Sequence, residues 1–423
     1  MRTRKINKRR GVHAQVARAS LLGMTLTFGF GAQADEYHYN NIVVGDRASG
    51  MGGAYTAVSD DPAGLYYNPA GIVYGAANNL SASVNAYHRN YTEYKNVLGG
   101  NGWKRTSASL LPNFFGVTQT VGRGTVGFSY AVPDSILEDQ DQSFSNIPGT
   151  LSDGTSVTIE EFIINFSHKD ETYNIGPSYA LKLGKTLSAG GTLYIHRRER
   201  DSTFNQYLDL NTGGFQWLNT YYETAETGVK PVLGLMWAPV DKVSIGVALS
   251  KVSLFSSRTL SQTTCQGVDC AFERRVVRSD EKRELPYVLN FGAAYFPSSA
   301  LLVSMDVSYY TETDDNFQDK DAVLNVAFGT EYYFTSQWAM RLGFFTDHAN
   351  TPEVAVGETN QPEHIDLYNG SFSVSRFAGN STTTLGLAYG AGSGETQLFG
   401  GSTSIQQVDR QTFTVFLSAS YSY

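Results

Sequence analysis

Thr412–Tyr423, TFTVFLSASYSY, alternates along its whole length. Phe413, Val415, Leu417, Ala419, Tyr421 and Tyr423 take one set of positions, and Thr412, Thr414, Phe416, Ser418, Ser420 and Ser422 take the other. A period of two sends successive side chains to opposite faces of a strand. One face here is apolar and the other mostly polar. The pattern returns at Leu80/Ala82/Val84/Ala86, Val126/Phe128/Tyr130/Val132, Leu187/Ala189/Gly191/Leu193/Ile195 and Val243/Ile245/Val247/Leu249. It continues at Leu301/Val303/Met305/Val307/Tyr309, Trp338/Met340/Leu342/Phe344 and Leu385/Leu387/Tyr389. Less regular segments lie between these, near 109–121, 171–183, 228–238, 286–296, 322–333 and 365–376, and the total is fourteen.

The connections alternate too. Short ones fall at Gly122–Gly124, Gly184-Lys185, Pro239–Lys242, Pro297–Ala300, Thr335–Gln337 and Ala378–Ser381. Long polar ones are expected near 90–106, 133–168, 199–222, 253–284, 311–321, 346–364 and 390–410. Tight turns at one end and long loops at the other are the plan of an outer-membrane barrel. Every backbone group in lipid must be paired, which demands a closed sheet. Composition agrees: 26 Tyr, 24 Phe and 42 Gly accompany only 17% charged residues, against roughly 25% in soluble chains. Mean hydropathy is -0.25 and no long apolar run occurs, which excludes a helical membrane protein. The expected fold is all-β and membrane-embedded: an antiparallel transmembrane β-barrel of about fourteen strands, residues 79–423. The closing aromatic, Tyr423, resembles the recognition signal of bacterial outer-membrane barrels.

Residues 1–34 read as a cleaved signal peptide. Arg2, Arg4, Lys5, Lys8, Arg9 and Arg10 form a basic region, Leu21–Phe30 an apolar core, and Ala32-Gln33-Ala34 a cleavage site. Between leader and barrel, residues 35–78 contain the one long stretch that is neither strand nor polar loop: Gly45–Gly71, GDRASGMGGAYTAVSDDPAGLYYNPAG. Asp60 and Asp61 cap an expected short helix, Pro62–Tyr67, which ends before Pro69. The Gly cluster lacks the Lys-Ser/Thr of a phosphate loop.

This stretch, with Asn68-Pro69-Ala70 preceded by the acidic pair, resembles the N-terminal hatch signature of the FadL-type outer-membrane transporters of long-chain fatty acids and hydrocarbons. Its Arg47–Ala54 portion also resembles PorV-type barrels that serve protein secretion. The first resemblance implies a fourteen-stranded barrel with a lumenal hatch seated by Asp60, Asp61, Asn68, Pro69 and Ala70. It implies passive uptake of a hydrophobic small molecule through a monomer surrounded by outer-membrane lipid. The alternatives are a PorV-type accessory barrel and a general porin.

A carboxylate-bearing ligand calls for inward cations. Strand parity turns Arg341 inward between Met340 and Leu342, with Asp306 a possible ion-pair partner, and turns His196, Arg198 and Lys230 inward as well. Aromatics of the long loops, Phe204, Tyr207 and Trp217 with Phe144, Phe215 and Phe255, are candidates for ligand capture. Cys265 and Cys270, in CQGVDC, are expected to form a disulfide in an exported chain, since no His or further Cys lies near enough to complete a metal site. A net charge of -8 argues against nucleic acid. The seven His are scattered and form no recognisable catalytic set, so neither enzyme activity nor a cofactor is expected.

Overall fold

The computed structural model describes residues 37–150, 154–268, 270, 272–314, 319–399 and 402–423. The expected leader, residues 1–34, lies outside them. Fourteen antiparallel strands make one sheet, three of them interrupted. They are β1 Asn78–Leu98, β2 Asn101–Val121, β3 Gly124–Thr150, β4 Ser156–Lys182, β5 Leu187–Leu210 and β6 Phe215–Val240. Then come β7 (Val243–Lys251 with Ser253–Gly267), β8 (Arg274–Ser279 with Tyr287–Ser298), β9 Leu301–Tyr310 and β10 Val323–Thr335. Last are β11 Trp338–Asp347, β12 (His364–Ile365 with Leu367–Ala378), β13 Ser381–Thr396 and β14 Gln406–Ser422. β1 pairs with β14 from Asn79↔Ser422 to Tyr94↔Val408, so the sheet closes on itself.

Four of the expected long loops are largely strand. β1–β2, β3–β4, β5–β6 and β7–β8 run on as hairpins through 90–106, 133–168, 199–222 and 253–284. The reason is a change of phase. On β4 the outward residues Ile175 and Tyr179 are exposed, while farther out Phe162, Ile164 and Phe166, on the opposite parity, are buried. β5 repeats this: Leu193 and Ile195 face out, Leu208 and Leu210 face in. In the bilayer the outside is the apolar solvent; beyond it the outside is water, and the apolar face turns inward.

The inward residues of the outer hairpins form their own core, with Tyr94, Trp103, Phe144, Phe162, Ile164 and Phe166 among its members. Burying each such side chain contributes about 1.5–3 kcal/mol. Phe162→Ala is expected to cost about 3–5 kcal/mol locally. Faster proteolysis of the outer hairpins at unchanged strand content would register it; an unchanged digestion pattern would contradict it.

Candidate functional site

The segment ahead of β1 lies on the inward side of the strands. It holds two short helices, Asp46–Gly50 and Gly64–Tyr67, and a 3-10 helix, Pro69–Tyr74. The second helix starts two residues later than expected. Asp61 Oδ1 accepts from Ala63 N–H at 2.8 Å in the turn before it, whereas Asp60 pairs with Arg47 rather than capping. Burial pushes the Asp61 carboxyl up to about 6, with Arg47 opposing.

Asn68 joins the segment to the wall. Its Oδ1 accepts from Ala70 N–H at 3.1 Å, while Nδ2 donates to Thr56 O at 2.8 Å and to Leu235 O on β6 at 3.0 Å. Inward hydroxyls supply further donors: Ser188 to Ala70 O at 2.7 Å, Thr192 to Leu65 O at 2.7 Å, and Ser371 to Gly50 O at 3.2 Å. Asp306 Oδ2 accepts from Tyr55 N–H at 3.0 Å and Thr56 N–H at 2.7 Å. These contacts satisfy backbone groups that regular structure leaves open.

The wall beneath is cut back to backbone. Inward glycines pair across strands as Gly190↔Gly234, Gly246↔Gly292 and Gly329↔Gly343. A Cβ at any of the six would come within 2.0–2.8 Å of a segment atom. Such close backbone approach is open only to glycine. Sequence reading missed this set, because its one signal is a glycine at inward parity on neighbouring strands.

Charge holds the same junction. The buried Glu331 carboxylate accepts from Arg47 at 2.8 and 2.9 Å and from Arg341 at 2.5 Å. Arg341 therefore points inward, but its partner is Glu331 and not Asp306, and it does not line the cavity above.

That cavity, about 260 Å³, has the segment as its floor, through Gly52, Gly53, Thr56, Tyr66 and Tyr67. Val43, Val232, Val288 and Phe345 give it apolar walls, and Tyr39 stacks on Tyr310 beside them with ring centroids 4.2 Å apart. His196, Arg198 and Lys230 all reach it. Arg198 is committed to Asp170 at 2.5 Å and lies 3.7 Å from Glu226, which also holds Arg283. Lys230 makes no ion pair among the described residues; its ammonium lies 3.5 Å from Tyr66 OH and 4.6 Å from that ring's centre. The buried His196 has Nδ1 3.0 Å from Asn174 Oδ1 and no partner at Nε2.

At one side the cavity meets a break in the wall. β2 and β3 pair only from Val121↔Gly124 to Phe114↔Ala131. Beyond that, β2 pairs with β1 alone and β3 with β4 alone. The segment fills the base of the break: Ile42 N–H donates to Pro133 O at 3.2 Å, and Asn113 Nδ2 donates to Val43 O at 3.1 Å. Farther out, side chains clasp it, Arg105 to Glu138 and Gln140 to Thr106 O. Pro133 and Asp134, at its edge, line the cavity.

The aromatic candidates separate. Phe204 packs against the outer core that holds Phe144. Tyr207 and Trp217 face each other on the outer surface, where Tyr207 also stacks on Phe215 and Trp217 donates to Asn205 Oδ1 at 2.6 Å. Phe255 is exposed on that surface too. Cys265 and Cys270 are bonded at the tip of the β7–β8 hairpin.

No family model matches the chain, and no curated protein matches its sequence. Solved structures do match its shape. A FadL homologue from Pseudomonas aeruginosa superposes with a TM-score of 0.64 at 14% identity, over 91% of this chain and 99% of that one. The toluene transporter TodX of P. putida gives 0.61 at 14% identity, over 90% and 98%. The toluene transporter TbuX of Ralstonia pickettii gives 0.60 at 14%, over 91% and 100%. Agreement over nearly the whole length of each gives this protein the barrel fold of the FadL-type channels.

Proposed function

We propose that the protein is a passive channel of the bacterial outer membrane for hydrophobic small molecules bearing a carboxylate, long-chain fatty acids among them, with residues 37–77 as its hatch. The observation that carries this reading is the cavity: apolar walls, a floor made by the segment, and at one end an ammonium without a carboxylate partner. The solved structures of like fold include toluene transporters, which supports a hydrophobic cargo. An apolar ligand gains about 2.5 kcal/mol for each 100 Å² it removes from water. Lys230 and His196 Nε2 take the head group, and the break between β2 and β3 is the way out to the side. Filling of the lumen by the segment speaks against an open porin.

Uptake of radiolabelled oleate and of toluene by cells expressing the protein tests this. Lys230→Met is expected to cut oleate uptake about tenfold or more, the worth of one charge-assisted hydrogen bond, and to leave toluene uptake unchanged. Equal loss of both would remove Lys230 from ligand binding, and uptake of neither by wild-type protein would overturn the reading. Arg341→Ala is expected to act on the seating of the hatch instead. It should lower uptake of both solutes alike or raise leakage of ions, and a selective loss of oleate would refute that assignment.

A further inference from the structure

On the outward face of the outer hairpins four cations are neutralised by near neighbours. Lys169 meets Glu171 at 2.8 Å, Arg197 meets Glu199 at 2.5 Å, Lys95 meets Asp409 at 2.5 Å, and Lys104 meets Glu93 at 3.5 Å. On the β7–β8 hairpin three outward arginines have no such neighbour among the described residues. Its inward positions include the buried Ser257 and Cys265, so the even-numbered residues of Ser256–Gln266 face outward. Register then places Arg278 opposite Leu260 and Arg274 opposite Thr264 on the same face as Arg258. All three arginines are exposed, and among the described residues none makes an ion pair. Arg274 donates only to Gln262 Oε1, at 3.2 Å. Glu223, an outward carboxylate opposite Leu260, accepts from the Tyr221 hydroxyl at 3.2 Å.

Their height is fixed by the aromatics below. Phe255 and Tyr287 are exposed on the outward face at the base of this hairpin, where aromatic side chains mark the membrane–water boundary. Arg258 stands about 10 Å above Phe255 at 3.3 Å per residue, the level of lipid head groups. Arg278 is its diagonal neighbour across the ladder, and Arg274 lies four residues, about 13 Å, farther along. The disulfide between Cys265 and Cys270 fastens the hairpin that presents them.

We propose that Arg258, Arg278 and Arg274 form a docking surface for the diphosphorylated glucosamine head group of the outer-leaflet glycolipid, lipid A. Guanidinium groups match phosphate oxygens in bidentate geometry. One phosphate sits between Arg258 and Arg278 and the other against Arg274. The proposal rests on the outer-membrane reading above and is independent of what the channel carries.

The test uses the full chain, purified in neutral detergent, with native mass spectrometry against bisphosphorylated, monophosphorylated and dephosphorylated lipid A, and inorganic phosphate as the free anion. The variant is R258Q/R274Q/R278Q, whose folding is verified by heat-modifiable gel migration. Bisphosphorylated lipid A is expected to bind wild type about tenfold or more tightly than the variant, with weaker binding as phosphates are removed. Equal binding by variant and wild type, or no dependence on phosphate number, overturns the proposal. So does preference for an acidic peptide over the lipid, or full competition by inorganic phosphate. Oleate uptake by the variant should equal that of wild type. Uptake therefore reports on the channel and lipid binding on the arginines, and either can fail alone.

Discussion

Gly234→Leu is expected to convert a closed barrel into one that conducts ions steadily. A Cβ at this position would lie 2.0 Å from Asn68 Oδ1 and 3.1 Å from Pro69 Cδ. Asn68 cannot give way, because it is fully buried and its amide spans Ala70, Thr56 and the β6 backbone at Leu235. Losing those three bonds costs about 1 kcal/mol each, and forcing atoms into the filled space about 1–3 kcal/mol more. The strand itself has no need of glycine, since its own ladder continues on both sides. The segment should leave its seat while the barrel stays folded. Planar-bilayer recordings should show long-lived open steps for the variant and none for wild type, with circular dichroism unchanged. Gly184→Ala, where an added Cβ meets nothing within 4 Å, is the control. A silent Gly234→Leu barrel of normal strand content would show that the segment does not seal the pore.

Glu331→Ala should have a comparable effect by another route. Its carboxylate is the shared acceptor of Arg47, on the segment, and Arg341, on β11. Removing one partner of a buried ion pair costs about 3–5 kcal/mol, because the remaining charge is left without compensation. Here two guanidinium groups would face each other. Arg47 retains Asp60, so the strain falls on the junction between segment and wall rather than within the segment. Expected results are open-channel conductance and a lower melting temperature. Combining Glu331→Ala with Arg341→Met should restore part of the melting temperature by removing the repulsion. A double variant no more stable than the single one would place the loss elsewhere.

The barrel was legible because a transmembrane strand carries its environment in its own alternation: Phe413 to Tyr423 faces out residue by residue, as written. The outer hairpins were not, although they alternate as well. Phe162, Ile164 and Phe166 are in phase with each other and out of phase with Ile175, and a search for outward apolar residues sees only disorder in the change. The inward direction of Arg341, His196, Arg198 and Lys230 followed from parity. Their fates did not. Whether an inward cation is free depends on which carboxylate the register sets beside it, and Glu331, Asp170 and Glu226 come from other strands. The glycine seats are hidden for the same reason: Gly234 gains meaning only when Asn68, far away in the chain, is laid over it.

The ladder between β1 and β14 joins the two ends of the barrel chain. It is thus a seam, and the longest chain closure in the molecule; such contacts are costly in entropy and form late. The segment of residues 37–77 precedes β1 directly and touches wall on several sides, at Ser188 and Thr192, at Asp306, and at Ser371. The staves that grip it lie on widely separated strands, so its full grip exists only once the sheet has curled, and the seam is what holds that curl closed.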